Sequence, residues 1–542
     1  MKANNHNIFI KSIIAIGLAS AVSGTWAANV PAGTELAAKQ ELVRNNGSEP
    51  ASLDPHKVES SVESAIISDF FEGLVEVRND GSIEPRLAEK WEQKSSTEWV
   101  FHLRPGVKWS NGEPITAEDV VWSWQRLVDP KIGSPYASYL GNMHVENAAD
   151  IAVGKKSPDT LGVKALDDTT LQVTLTQPTA AFLAMLAHTS LVVVDKAVVE
   201  KFGDKWTQPA NFVSSGPYTL SDWVVNEKVI GVRNKNYWDD SHTVINKVTY
   251  LPIASETADI NRYKAGEIDI VLTVPQTLYA SLKKSIPDQV HVTPKLATYY
   301  YQFNTTKAPF NDPRVRRALN MALDKDIIAE KVLGQGQIPA WVISQKDIGG
   351  VELKSPDYAS WSHEKRVTEA KKLLEEAGFN SSHPLKFNLL YNTSESHQRI
   401  AIAASSMWSK NLGVEAKLQN QEWKTMLDTM HSGTFDVVRY AWIADYDDAA
   451  TFLNNFRTGD SENTSKYSNA AFDDALKNAA KADNVEQRGK FYQQAEDKLA
   501  EDVPAIPVYH YVLVQLVKPY VGGYAPNNLG FYYTKDMYIK KH

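Results

Sequence analysis

The chain has 542 residues, 43% of them hydrophobic and 10% aromatic, enough for sizeable cores in three or four units of about 150 residues each. Its net charge of −8, without any basic run, argues against nucleic acid or anionic membrane as a partner. It contains no cysteine, which excludes disulfides, a thiol nucleophile and a thiolate metal site, so burial alone must hold the fold.

Residues 1–27 read as a secretory signal peptide. Lys2 and Lys11 precede an apolar run from Ile13 to Val22, and Thr25-Trp26-Ala27 puts small residues at both recognition positions. That run is too short, and too rich in Ala, Gly and Ser, to span a membrane, and no later segment is apolar enough to do so. A soluble periplasmic protein is expected, not lipid-anchored, because a lipoprotein anchor needs a cysteine.

Further along, Trp99, Phe101 and Leu103 alternate as one face of a strand that runs into the Pro105-Gly106 turn. After a second turn at Asn111-Gly112, Thr116 stands three residues before Asp119, close to a capping box that opens a helix. Leu171 to Thr176 alternates as a half-buried strand ended by Pro178. Gly216-Pro217-Tyr218 starts another β region, which Val244 to Ile253 continues. Asp312-Pro313 predicts an N-cap with proline at the first helical position, and Val315, Leu319 and Ala322 give that helix one apolar face. Asp324 caps a second helix carrying Ile327, Ile328 and Val332. Residues 364–377 form an amphipathic helix through Val367, Ala370, Leu374 and Ala377, stopped by Gly378. Strands and helices alternate irregularly and without repeats, which implies α/β domains with mixed sheets.

The stretch LAEKWEQKSSTEWVFHLRPGVKWSNGEPITAEDVVWSW (87–124) resembles the signature of the large extracytoplasmic solute-binding proteins that feed peptides to ABC importers. The likeness recurs in GPYTLSDWVVNEKVIGVRNKNYW (216–238), RYKAGEIDI (262–270), PFNDPRVRRALNMALDKD (309–326) and LLYNTSESHQRIAIAASSMWSKNLGV (389–414). LVRNNGSEPASLDPHK, LVKPYVGGY and MYIKKH are similar to the periplasmic oligopeptide-binding branch and its murein-peptide-binding relatives. The resemblance implies a two-lobed periplasmic-binding-protein fold with a hinge and an extra third domain. Lobe one would comprise 28–71, 196–296 and 513–542, the extra domain 72–195, and lobe two 297–512, with chain crossings near 296 and 512. It implies capture of short peptides, about two to five residues long, between closing lobes and delivery to the permease subunits of an ABC importer. Nothing calls for more than a monomer.

A protein that accepts many peptides should hold what every peptide shares: the ammonium, the carboxylate and the backbone. The segment 439–446, RYAWIADY, is similar to the family segment whose aspartate binds the ligand ammonium, which points to Asp445. By the same resemblance Ala441 to Ile443 lie beside the peptide backbone and Trp442 walls a side-chain pocket. Regular alternation would put Asp445 and Trp442 on opposite faces, so a turn or bulge is expected before Asp445. Arg439 matches an arginine that can meet a short peptide's carboxylate, a task suited to its planar fork. Glu59 and Ser61 match contacts on the lobe-one side. His397 matches a histidine that can reach a longer ligand's carboxyl end, and Tyr136, Trp423 and Tyr511 match aromatic lining positions.

The departures concern the ligand. Two positions that are basic in close oligopeptide binders are Met430 and Leu333 here, and two that carry a bridging cysteine pair in some relatives are Ala297 and Ile443. Leu333 is similar to the murein-peptide branch, so binding of a murein tripeptide for cell-wall recycling is the alternative. A sensory subunit that presents ligand to a membrane partner shares the binding step. A secreted peptidase is a reading of another class, and the sequence has no HExxH, GxSxG or P-loop to support it. His363-Glu364 lacks a second histidine, and Gly334-Gln335-Gly336 is too short to cradle a phosphate. No enzyme activity, cofactor or metal site is expected.

Overall fold

One mixed sheet of eleven strands runs through the protein. The computed structural model describes residues 28–482 and 484–542, so the expected signal peptide lies outside it. From one edge the sheet order is Glu415–Gln421, Lys386–Asn392, Val437–Ile443, Val290–Phe303 and Ala505–Val517. It continues through Ile270–Val271, Glu41–Asn45, Lys247–Leu251, Lys228–Arg233 and Tyr218–Val224, with Ile338–Pro339 paired to the side of Ala505–Val517.

The two long central strands, Val290–Phe303 and Ala505–Val517, serve both halves of this sheet. Val290 to Pro294 pair with Leu516 back to Val512, and Thr298 to Gln302 pair with His510 back to Ala505. Between these stretches the register jumps, leaving Lys295, Leu296 and Ala297 opposite Tyr511. Such a bulge bends a strand and re-aims its side chains. Each half has its own core: Leu42, Ile66, Tyr218 and Val248 in one, Tyr301, Leu319, Ile400 and Trp408 in the other.

A smaller antiparallel sheet, ordered Ala88–Ser95, Glu98–Leu103, Thr170–Thr174 and Val163–Asp167, packs with the helix Ala117–Val128. Thr116 and Asp119 form the capping box at the start of that helix. Trp124 on that helix is fully buried, and its indole N–H donates to the Leu191 carbonyl.

Asp312 caps the helix Pro313–Ala322, whose Val315, Leu319 and Ala322 are fully buried. The helix expected after Asp324 departs from its pattern. It is α-helical only over Lys325–Ile327, then widens to a π-helix over Ile328–Leu333. Ile328 is buried but Ile327, one residue earlier and about 100° round the helix, is 45% exposed. The helix His363–Glu376 ends as expected, with Gly378 in the left-handed region at φ +91°.

Candidate functional site

A cavity of about 360 Å³ lies where the two halves of the large sheet and the smaller domain meet. Its volume is in the range of ligand sites. All eleven candidate residues line it: Asp445, Arg439, Trp442, Ala441, Ile443, Glu59, Ser61, His397, Tyr136, Trp423 and Tyr511.

The strand Val437–Ile443 supplies the centre. On one side it pairs along its whole length with Val290–Phe303, Arg439 opposite Tyr301 and Ile443 opposite Ala297. On the other side strand pairing stops at Val438, because Lys386–Asn392 meets only Val437 and Val438. From Arg439 to Ile443 the outer edge therefore has no strand neighbour among the described residues, and it borders the cavity. An extended peptide laid there would complete the sheet through its own N–H and C=O groups. Ala297 and Ile443, the positions of the cysteine pair in some relatives, are register partners here.

The strand ends at Ile443, and Asp445 sits on the bend that follows, so strand alternation no longer decides which way it faces. Its backbone N–H donates to Thr451 Oγ1 (2.9 Å), and the Tyr136 hydroxyl donates to its Oδ1 (3.2 Å). Its side chain is only 10% exposed, and burial pushes its carboxyl up to about 8. His188 Nε2 lies 3.4 Å away, but burial holds that imidazole neutral by lowering it to about 3. Asp445 is thus a sequestered carboxyl group that holds its proton more tightly than usual, with no cation paired to it among the described residues.

Arg439 is the opposite case. Its guanidinium donates to Asn392 Oδ1 (3.1 Å) and the Tyr511 hydroxyl (2.6 Å), and it lies 4.7 Å from the centre of the Tyr299 ring. The residue is 5% exposed, its Nε has no hydrogen-bond partner, and no carboxylate among the described residues pairs with it. His397 stands beside Tyr299 with its Nδ1 unpartnered, and burial together with the Arg439 charge holds it well below its ordinary pKa.

The remaining candidates frame the opening. Glu59 pairs with His431 (2.8 Å), Trp423 stacks on Tyr440 and donates to Ser60 Oγ (3.3 Å), and Ser61 begins the helix Ser61–Phe70. Leu333 lines the cavity, whereas Met430 is buried in a hydrophobic core. Sequence reasoning missed His188, Lys295 and Arg44, which also line the cavity. His188 is stacked between Tyr136 and Tyr139, and Arg44 lies between the rings of Tyr250 and Tyr532. His188 and Lys295 are isolated residues in ordinary segments, and Arg44 stands within LVRNNGSEPASLDPHK, where no local pattern marks its place in the cavity.

Relatives of known identity share this architecture. The family model of bacterial extracellular solute-binding proteins, family 5, matches residues 82–464. The periplasmic oligopeptide-binding protein OppA of Salmonella typhimurium is 53% identical over 541 residues, 99% of this chain and 100% of that protein. The OppA of Haemophilus influenzae in complex with RPPGFSPFR superposes with a TM-score of 0.92 at 44% identity, covering 94% of this chain and 100% of that one. The murein tripeptide binding protein MppA of Escherichia coli gives 0.93 at 46% identity, over 94% and 100% of the two chains. The unliganded open form of MppA, at the same 46% identity and over 94% and 99%, gives only 0.65. Equal identity with unequal superposition separates arrangement from fold: the arrangement of this chain differs from that of the open form. The α/β, two-lobed fold expected from the sequence is the fold of these structures, and the chain belongs to the bacterial extracellular solute-binding proteins of family 5.

Proposed function

We propose that this protein is a periplasmic substrate-binding protein that captures short peptides between two closing lobes and hands them to an ABC importer, without chemistry. The observation that carries the reading is the pairing of opposites in one cavity: Asp445 buried without a cation and Arg439 buried without a carboxylate, joined by an unpaired strand edge. A free peptide supplies the ammonium, the carboxylate and the backbone that these three features lack. Ala441 to Ile443 pair with the peptide backbone, Trp442 and Tyr136 wall a side-chain pocket, and Glu59 with Ser61 closes the lobe-one side.

Lobe one comprises 28–71, 196–296 and 513–542, the extra domain 72–195, and lobe two 297–512. The bulge at Lys295 to Ala297 opposite Tyr511 supports hinges near 296 and 512, because that is where the shared strands change register. The difference between 0.93 and 0.65 for the two forms of MppA supports lobe closure as the working motion. Secretion by residues 1–27 fits a binding site built for a diffusing solute.

The test is calorimetric titration of purified mature protein with a tripeptide and with its N-acetylated form. The expected result is tight binding of the free peptide and severe loss on acetylation. Failure of both to bind would overturn the general peptide reading, and tight binding of a murein tripeptide alone would narrow it to that ligand.

A further inference from the structure

Lys295 is a cavity-lining cation that the peptide reading leaves unused. It opens the bulge between the two halves of the sheet, and that bulge is firmly held. The Gln345 side-chain amide donates to the carbonyls of both Lys295 (2.7 Å) and Ala297 (3.0 Å). The Leu296 N–H donates to the Asn528 carbonyl, and the Leu296 carbonyl accepts from the Ala444 N–H, both at 2.7 Å.

With its backbone fixed, the side chain runs along Gly530. A Cβ on Gly530 would fall 2.5 Å from Lys295 Cε and 2.9 Å from its Nζ, so the missing side chain there makes the channel in which the lysine lies. Both residues line the cavity. No carboxylate among the described residues pairs with this amine, and burial alone acts on it, lowering it to about 8.

We propose that Lys295 forms an anion subsite of the cavity that takes a carboxylate of the bound peptide. This inference rests on the peptide reading above and adds a preference to it. The register argues which carboxylate. Arg439 and Ile443 are separated by four residues of extended strand, about 13 Å. Ile443 is opposite Ala297, and Ala444 is bonded to Leu296, so Lys295 belongs to the Asp445 end, away from Arg439. A peptide anchored by its ammonium at Asp445 and its terminus toward Arg439 presents early side chains to Lys295. An Asp or Glu side chain is the carboxylate that fits.

The experiment compares Glu-Ala-Ala, Ala-Glu-Ala and Ala-Ala-Glu with their Gln counterparts, each as free acid and C-terminal amide, on wild type and Lys295→Met. Lys295→Met keeps the length of the side chain and removes a desolvated charge, so it leaves the fold intact. Wild type is expected to prefer Glu over Gln at one position by roughly tenfold or more, and Lys295→Met to lose that preference while binding the Gln peptide unchanged. If the preference lost is instead acid over amide, the subsite still takes a carboxylate, but the terminal one. If Lys295→Met changes neither ratio, the subsite does not exist, while peptide capture stands. If no peptide binds wild type, both readings fall together.

Discussion

The Tyr136 hydroxyl donates to Asp445 Oδ1 across 309 residues of sequence, at 3.2 Å, joining the smaller domain to the bend after the strand Val437–Ile443. Asp445 also accepts no cation from the described residues, so its position is over-determined while its charge is not. Removing it should strand a ligand ammonium in a dry site. Asp445→Ala is expected to weaken tripeptide binding by about 2–5 kcal/mol, and an N-acetylated peptide should bind wild type and variant alike. Calorimetry of the two peptides on the two proteins checks this.

The same residue sets a pH dependence. Its carboxyl is raised to about 8 in the folded state, above an ordinary value of about 4, so the folded protein holds the proton longer than the unfolded chain does. Stability of the ligand-free closed form should therefore fall as pH rises between those values. Glu63 and Asp259, both raised to about 7 by burial, act in the same direction. The difference between wild type and Asp445→Asn isolates one residue: the variant's melting temperature should fall less steeply over pH 4–8. Peptide binding to wild type should release a proton below about pH 8, seen as a buffer-dependent heat, and the variant should show less of it.

Arg439 should act at the other terminus. Arg439→Met is expected to cost a free-acid tripeptide about 1.5–3 kcal/mol while leaving its C-terminal amide nearly unaffected. Equal losses for acid and amide would mean that the arginine only supports Tyr511 and Asn392, its present partners.

What could be read from the sequence follows from how far apart the interacting residues lie. The Thr116–Asp119 box, the Asp312 cap and the Gly378 stop are each written within a few residues, and their geometry is local. Residues 439–446 were legible as a group through their resemblance to one family segment, and one strand with the bend after it carries them. The unpaired edge was not, since it depends on where Lys386–Asn392 stops pairing. His188 and Lys295 reach the cavity from distant segments, and nothing beside them in the chain records that. The π-helical turn at Ile328–Leu333 was not legible either: the Asp324 cap is local, but no local pattern records the widening that follows it.

Gly216 was legible as the start of a β region, but not the reason it is glycine. A Cβ there would lie 2.7 Å from the Phe70 carbonyl carbon, 2.8 Å from Phe71 N and 2.9 Å from Phe70 O, and all three are backbone atoms that cannot yield cheaply. Its N–H also donates to the Phe70 carbonyl (2.9 Å). Gly216→Ala is expected to destabilise the fold by about 1–3 kcal/mol, read as a lower urea midpoint at unchanged slope.

Glu256 and Glu395 cap each other's helices across the cleft. Glu256 accepts from Ser396 N (3.2 Å) and Ser396 Oγ (2.7 Å) at the start of Glu395–Leu412, and Glu395 accepts from Ser255 Oγ (2.8 Å) and Thr257 Oγ1 (2.7 Å) at the start of Glu256–Lys264. Each carboxylate meets the positive end of the opposing helix, so the exchange exists only when these two helix ends face one another. In a protein whose lobes open, this latch belongs to the closed state alone. Glu256→Gln with Glu395→Gln should lower the closed population, and with it the apparent peptide affinity, by about 1 kcal/mol. Small-angle scattering of the peptide-saturated variant should then give the same closed radius as wild type, reached at higher peptide concentration. An affinity equal to wild type would mean that water replaces these bonds in the open form without loss, and that closure is driven by the ligand alone.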